Sequence, residues 1–237
     1  MKSKRVVIIG GTSGLGFAVA RAAAAEGASV VVASRTPAGV RQAVSELGAD
    51  AGGESVDVAD EADVRGFFER VGAFDHLVYT AGEPLINGSL AATDIAAARR
   101  FFEIRYFGAL AAAKYGAPRI RPGGSIVLTS GIASNRPQGR TVVVSSVLSA
   151  IEGLTRALAA DLAPIRVNAV VPAIIRTEMW RGLADAARES LYESVAKGGL
   201  LDRVGEPADV AEAFLYLMRN KHTTGSSLTI DAGTLLK

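Results

Sequence analysis

Short apolar runs alternate with longer stretches of helical periodicity along the whole chain. The runs Val6–Ile9, Ser29–Ala33, Glu54–Val58, His76–Thr80, Ser125–Thr129, Ile165–Val170 and Ser227–Ile230 read as strands. Helices are predicted over Gly14–Glu26, from Thr36-Pro37 to about Leu47, and over Glu61–Val71. Further helices are predicted over about Ala92–Ala117, with an interruption near Gly108, over Thr141–Leu162 and over Pro207–Met218. Pro37 suits a first helical turn, where its missing N–H is not needed. Val64, Phe67, Phe68 and Val71 recur at helical spacing and mark one buried face. Strands that are apolar throughout, rather than alternately, are covered on both faces, which implies a parallel sheet between two helical layers. The predicted fold is α/β: a single doubly wound, Rossmann-type domain over residues 1–237 with seven strand-like runs. In such a sheet the ligand lies beyond the carboxyl ends of the strands.

Composition narrows the classes of function. The formal net charge is only +2 and the basic residues are scattered, so no nucleic-acid partner is expected. Cysteine is absent, which excludes disulfides, thiolate catalysis and cysteine-based metal sites, and fits a cytoplasmic protein without requiring one. With two histidines, His76 and His222, no histidine-rich metal site is possible. The alanine-rich stretches carry regular charges, so neither a transmembrane helix nor a membrane partner is expected.

The first candidate for chemistry is the loop Gly10-Gly11-Thr12-Ser13-Gly14-Leu15-Gly16. It follows the first apolar run and opens the first helix. Glycines there allow backbone angles that a Cβ forbids, and they let main-chain N–H groups approach a phosphate at the positive end of the helix. Glycine-rich turns also serve as plain structural punctuation. The end of the second strand carries Ala33-Ser34-Arg35 rather than an acid. An acid would hold the ribose 2′-hydroxyl of NAD, whereas a hydroxyl and a guanidinium suit a 2′-phosphate. NADP(H) is therefore favoured over NAD(H), against a reading of Arg35 as a solvated turn residue. Asp57, followed by Val58, could place a carboxylate beside the adenine amino group or cap the next helix, a role for which Asp60 is a rival. Thr80-Ala81-Gly82 brings small residues where a ribose could lie against the backbone.

These segments together resemble the short-chain dehydrogenase/reductase (SDR) family over essentially the full chain. Ile9 to Gly16 is similar to the family's glycine motif, with Ile9 where Thr is usual. Asp57-Val58 is similar to its adenine contact, and Thr80-Ala81-Gly82 to its Asn-Ala-Gly sequence. Ile165 to Pro172 resembles its sixth strand, with Ala173 where glycine is usual. Ile175-Arg176-Thr177 resembles the segment whose Ile and Thr touch the nicotinamide carboxamide and phosphates. Arg203 to Pro207 and Asp231-Ala232-Gly233 resemble its C-terminal landmarks. The resemblance implies cofactor contacts at Gly10, Thr12, Ser13, Gly14, Leu15, Gly16, Ser34, Arg35, Asp57, Val58, Ala81, Gly82, Ile175 and Thr177. It also implies a substrate lid around 177–201 and a homodimer or homotetramer paired through the helices near Ala92–Ala117 and Thr141–Leu162.

The family's proton relay is a Tyr with a Lys four residues later on the same helical face, a Ser after the fifth strand, and a supporting Asn. Counting from Glu152-Gly153-Leu154-Thr155-Arg156 places the Tyr position at Val144 and the Lys position at Leu148. The Ser position falls at Gly131, next to Ser130, and the Asn position at Arg105. All four depart from the pattern, and no Tyr-x-x-x-Lys occurs anywhere in the chain. Substitute candidates are Arg105, as an electrophile or a carboxylate anchor, and Ser130, as a hydrogen-bond donor. Each has a structural alternative. Ser145 and Ser149 read as helix surface or interface, and Arg136, Arg140 and Arg176 surround the expected mouth of the site. Three functions remain open. One is an NADP(H)-dependent oxidoreductase acting on an unidentified small carbonyl or alcohol through a non-standard relay. The second is a non-catalytic NADP(H)-binding protein on the same scaffold. The third is a non-redox enzyme, such as a dehydratase or isomerase, on that scaffold. An apolar plug around Val144, Leu148 and Arg105 would favour binding alone, and an open polar cleft would favour chemistry.

Overall fold

The computed structural model describes all 237 residues. Seven parallel strands form one sheet: β1 (Arg5–Ile9), β2 (Ser29–Ser34), β3 (Ala51–Ser55), β4 (Phe74–Tyr79), β5 (Ile120–Thr129), β6 (Arg166–Pro172) and β7 (Ser227–Ile230). Their order is β3-β2-β1-β4-β5-β6-β7. The chain reverses its direction of winding between β1 and β4, which opens the ligand crevice of a doubly wound sheet at that point. β1 and β4 are buried along nearly their whole length, β4 with the polar Asp75 and His76 included.

The helices are α1 (Gly14–Ala25), α2 (Pro37–Leu47), α3 (Glu61–Val71), α4 (Ile95–Phe102), α5 (Gly108–Gly116), α6 (Val142–Asp161), α7 (Asp185–Gly198) and α8 (Pro207–Arg219). One apolar layer packs α1, α2 and α8 on the sheet through Val19, Ala23, Ala43 and Phe214. The opposite layer packs α3, α5 and α6 through Phe67, Phe68, Ala112, Ile151 and Leu154. α6 is long and apolar enough to cross a membrane by length and composition, contrary to the expectation from charge spacing. Its inner face is instead spent on the sheet, with Val147, Ile151 and Leu154 buried.

The third strand differs from its predicted span, Glu54–Val58. It runs Ala51–Ser55, paired in register with Val30–Ser34. Glycine is depleted in strands, so Ala51-Gly52-Gly53 did not read as one. Here Gly53 is required because a Cβ there would lie 2.6 Å from Val40 Cγ1 of α2. The interruption near Gly108 is a single π turn, Glu103–Phe107, joining α4 to α5. At the base of the sheet Asp75 binds Lys4 and Arg121. Beside it, His76 Nδ1 lies 2.8 Å from Ser125 Oγ. Burial holds the His76 ring neutral, with its pKa brought down to about 4.

Candidate functional site

Above the carboxyl end of β1 the chain turns through Gly10 at φ +87° and enters α1 at Gly14, φ +53°. A Cβ on Gly10 would lie 2.5 Å from the Ala81 nitrogen, so the β1 loop and the end of β4 approach backbone to backbone. Thr80 Oγ1 holds that junction, 3.2 Å from the carbonyls of both Ile9 and Gly10. The N-cap of α1, Ser13, makes no capping bond with its side chain, and no acid stands in the first turn. The positive end of α1 is therefore left without a side-chain anion or acceptor. Thr177 stands over it: a Cβ on Gly14 would sit 3.7 Å from Thr177 Cβ. Ile175 is placed differently. Its side chain is buried in the core against Gly205, and its carbonyl accepts a hydrogen bond from Trp180 Nε1 at 3.0 Å.

A second polar concavity forms at the start of α2. A Cβ placed on Gly39 would lie 2.9 Å from Thr36 Oγ1, 3.8 Å from Thr12 Oγ1 and 4.0 Å from Ser34 Oγ. Three hydroxyls from two segments, the Gly10–Gly16 loop and Ser34–Thr36, thus converge on one glycine. Ser34 Oγ is buried and has no hydrogen-bond partner. α2, like α1, has neither a side-chain cap nor an acid in its first turn. Arg35 extends beside it, with Nη1 3.9 Å from Glu83 Oε1 and its side chain mostly exposed.

Asp57 and Val58 lie in the turn after β3. Asp57 Oδ1 accepts from Ala59 N at 3.0 Å, while Asp60 caps α3 by accepting from Ala62 N and Asp63 N. Asp57 is therefore not the cap. Val58 packs on Gly108, where a Cβ would come within 3.1 Å of Val58 Cβ.

The other half of the cleft has the opposite character. Val144 is 1% exposed and Leu148 5% exposed. With Phe101, Val143 and Val147 they form an apolar cluster, against which Leu85, Ile86, Phe102 and Ala133 pack. Leu148 fills the room a side chain at 131 would need, since a Cβ on Gly131 would sit 3.2 Å from Leu148 Cδ1. Ser130 does not face this space: its hydroxyl is buried, 3.0 Å from the Leu148 carbonyl and 3.3 Å from Glu152 Oε1. Ser134 is hydrogen-bonded to the same carboxylate. Glu152 served only as a landmark in the sequence, and nothing in its spacing announced that two serines would meet it. Ser145, expected on the helix surface, is buried and shares a 3.0 Å bond with Thr141 Oγ1. Tyr79 bonds the Ile104 carbonyl within the core.

Arg105 is the exception in this half. It is 8% exposed, and burial lowers its pKa to about 10, which leaves it a cation at neutral pH. One Nη donates to the Glu83 carbonyl at 2.6 Å. Farther out, Arg176 stacks on Tyr192, 4.1 Å from the ring centre, and pairs with Glu189 and Glu206. Arg136 donates to the Thr234 carbonyl at 3.0 Å.

Comparison with known proteins shows what the chain as a whole is similar to. Residues 10–234 match the family model described as enoyl-(acyl carrier protein) reductase. A short-chain dehydrogenase/reductase from an Acremonium species is 36% identical, covering 100% of this chain and 97% of its own length. The human 3-oxoacyl-[acyl-carrier-protein] reductase is 32% identical over 98% of each chain. Among solved structures, a small-chain dehydrogenase in complex with NADPH superposes with a TM-score of 0.84 at 34% identity, each chain fully covered. The MalC reductase/Diels-Alderase from Malbranchea aurantiaca gives 0.93 at 31% identity, covering 100% of this chain and 98% of that one.

Proposed function

The chain belongs to the short-chain dehydrogenase/reductase family, and from that premise we propose that it is an NADP(H)-dependent oxidoreductase acting on a small carbonyl compound. The observation that carries the reading is the concavity at Gly39. Thr12, Ser34 and Thr36 bring three hydroxyls to the start of a helix with no anion of its own, and Arg35 stands beside them. That donor set fits a 2′-phosphate, and the buried, unpartnered Ser34 Oγ is the atom such a phosphate would satisfy. The uncapped N-terminus of α1 fits the pyrophosphate, Asp57 the adenine, and Ala81 and Gly82 the ribose. The NADPH complex of the related small-chain dehydrogenase supports the same choice of cofactor.

When bound, NADPH supplies a hydride to the carbonyl carbon. The balance is carbonyl, NADPH and one proton giving alcohol and NADP⁺. Val144, Leu148 and Gly131 have no ionisable group, so none of them supplies that proton. Absence of a positioned acid costs about 10²–10⁴-fold in rate, so turnover is slow on simple ketones. Exposed Met179, Leu183, Leu200 and Leu201 around α7 favour an acceptor with an apolar body. Exposed Ile95, Phe107 and Val142 on the α4–α6 surface support a homodimer or homotetramer.

The test is a fluorescence titration with NADPH and with NADH, followed by loss of NADPH absorbance across a carbonyl panel. Tight NADPH binding, weak NADH binding and slow turnover are expected. Failure to bind either nucleotide overturns the reading. A second reading, an NADP(H)-binding protein without catalysis, is favoured by the apolar filling at Val144 and Leu148. NADPH binding with no turnover across the panel would select it.

A further inference from the structure

Arg105 presents a charge that the fold leaves unpaid. It sits in the π turn Glu103–Phe107, and such turns mark functional positions more often than regular helix does. The turn carries the guanidinium to the end of β4: a Cβ on Gly82 would lie 2.5 Å from Arg105 Cζ and 2.6 Å from both Nη atoms. On its other side lies the Phe101 ring, 4.7 Å from Cζ to the ring centre. Phe101 itself belongs to the apolar cluster of Val143, Val144, Val147 and Leu148. The cation is thus held between the expected ribose contact and the apolar half of the cleft.

Its partners do not neutralise it. The Glu83 carbonyl takes one Nη proton, and Nε is buried with no partner. No carboxylate lies within ion-pair distance of it. The Glu83 carboxylate is turned to Arg100, at 3.0 Å, and to Arg35. Tyr79, the other titratable group beside it, bonds the Ile104 carbonyl and stays neutral, its pKa raised by burial. A buried guanidinium is normally paired, because desolvating a charge without a counter-charge is costly. Arg166 at the base of the sheet also has no carboxylate partner, but both of its Nη atoms are bonded, to the Leu217 and Met218 carbonyls, whereas Arg105 has a single such bond.

We propose that Arg105 anchors a carboxylate of the substrate, so that the acceptor is an oxo acid with an apolar body. This rests on the oxidoreductase reading, and it assigns a substrate class to the same cleft. The planar fork of the guanidinium matches a carboxylate, and its position against Gly82 puts that carboxylate beside the cofactor ribose. The half-buried Leu85, Ile86 and Phe102, which pack against the closed apolar cluster, are the surface left for the rest of the molecule.

The experiment measures binding, not turnover. Protein saturated with NADP⁺ is titrated by calorimetry with phenylacetate and, separately, with phenylacetamide, which has the same shape without the charge. Wild type is expected to bind the carboxylate about tenfold or more tightly, the ratio that one charge-assisted hydrogen bond supplies. Arg105→Met is expected to erase that preference, and Arg105→Lys to keep part of it while preserving the fold. Equal or undetectable binding of the two probes by wild type overturns the proposal. So does a preference that survives in Arg105→Met. If NADP⁺ does not bind, the oxidoreductase reading falls, and the same two probes on the nucleotide-free protein decide the role of Arg105.

Discussion

The two halves of the cleft are built from opposite materials. Over β1 and β2 there are hydroxyls, positive φ glycines and two helix starts with no anion of their own. Over β5 there are valines and leucines, with one cation at the boundary. The first half is polar groups left unsatisfied, which is stable only if a ligand or water completes them. The second is side chains that satisfy one another. The two sets of residues lean on different neighbours, with Arg105 between Gly82 and Phe101 as the link. The loop Gly10–Gly16 depends on Thr80 and Ala81, whereas Val144 and Leu148 depend on Phe101 and Gly131.

That comparison can be broken in four ways, from the largest effect to the smallest. Leu148→Ala should remove about 2–5 kcal/mol of stability by opening a cavity. It should leave NADPH affinity unchanged, and urea unfolding with a parallel titration reads both. An equal loss of affinity would show that the halves are coupled. The base of the sheet supplies a control on pH. His76 has a folded pKa of about 4 against an ordinary 6.5, so the unfolded chain binds the extra proton first. Its contribution is full above about pH 6.5 and is lost as pH falls toward 4, about 3 kcal/mol in all. His76→Asn should flatten the stability profile over that window.

Gly16→Val is the converse of Leu148→Ala. The new side chain would run into the Gly10 carbonyl, and NADPH affinity should fall by about a hundredfold. The smallest effect sharpens specificity alone. Arg35→Ala should weaken NADPH about tenfold and leave NADH unchanged, because only NADPH carries the 2′-phosphate. Loss of both affinities together would place Arg35 on the shared part of the cofactor.

Much of the polar half was legible in the chain. Gly10, Gly14 and Gly16 follow an apolar run and open a helix, and that local order predicts the turn found between β1 and α1. Ser34 and Arg35 stand where a strand ends, and their chemistry needs no distant partner to be recognised. The β3 strand was misplaced because its glycines are explained by Val40 of a neighbouring helix, not by local propensity. Thr12 and Thr36 joined Ser34 around Gly39 only in three dimensions. The hydroxyl of Ser130 and the carboxylate of Glu152 likewise met across 22 residues of sequence.

The sequence by itself determined the alternation of strand and helix, the parallel sheet, the glycine turn between β1 and α1 and the absence of any Tyr-x-x-x-Lys. Periodicity, turn chemistry and residue type are local properties, and they survive being read along a line. Tertiary structure alone decided that Leu148 closes on Gly131, that Ser130 turns inward, and that Arg105 is buried without a carboxylate. Each of those outcomes depends on which side chains meet across the sheet. Burial and desolvation depend on such distant neighbours, not on the order of residues.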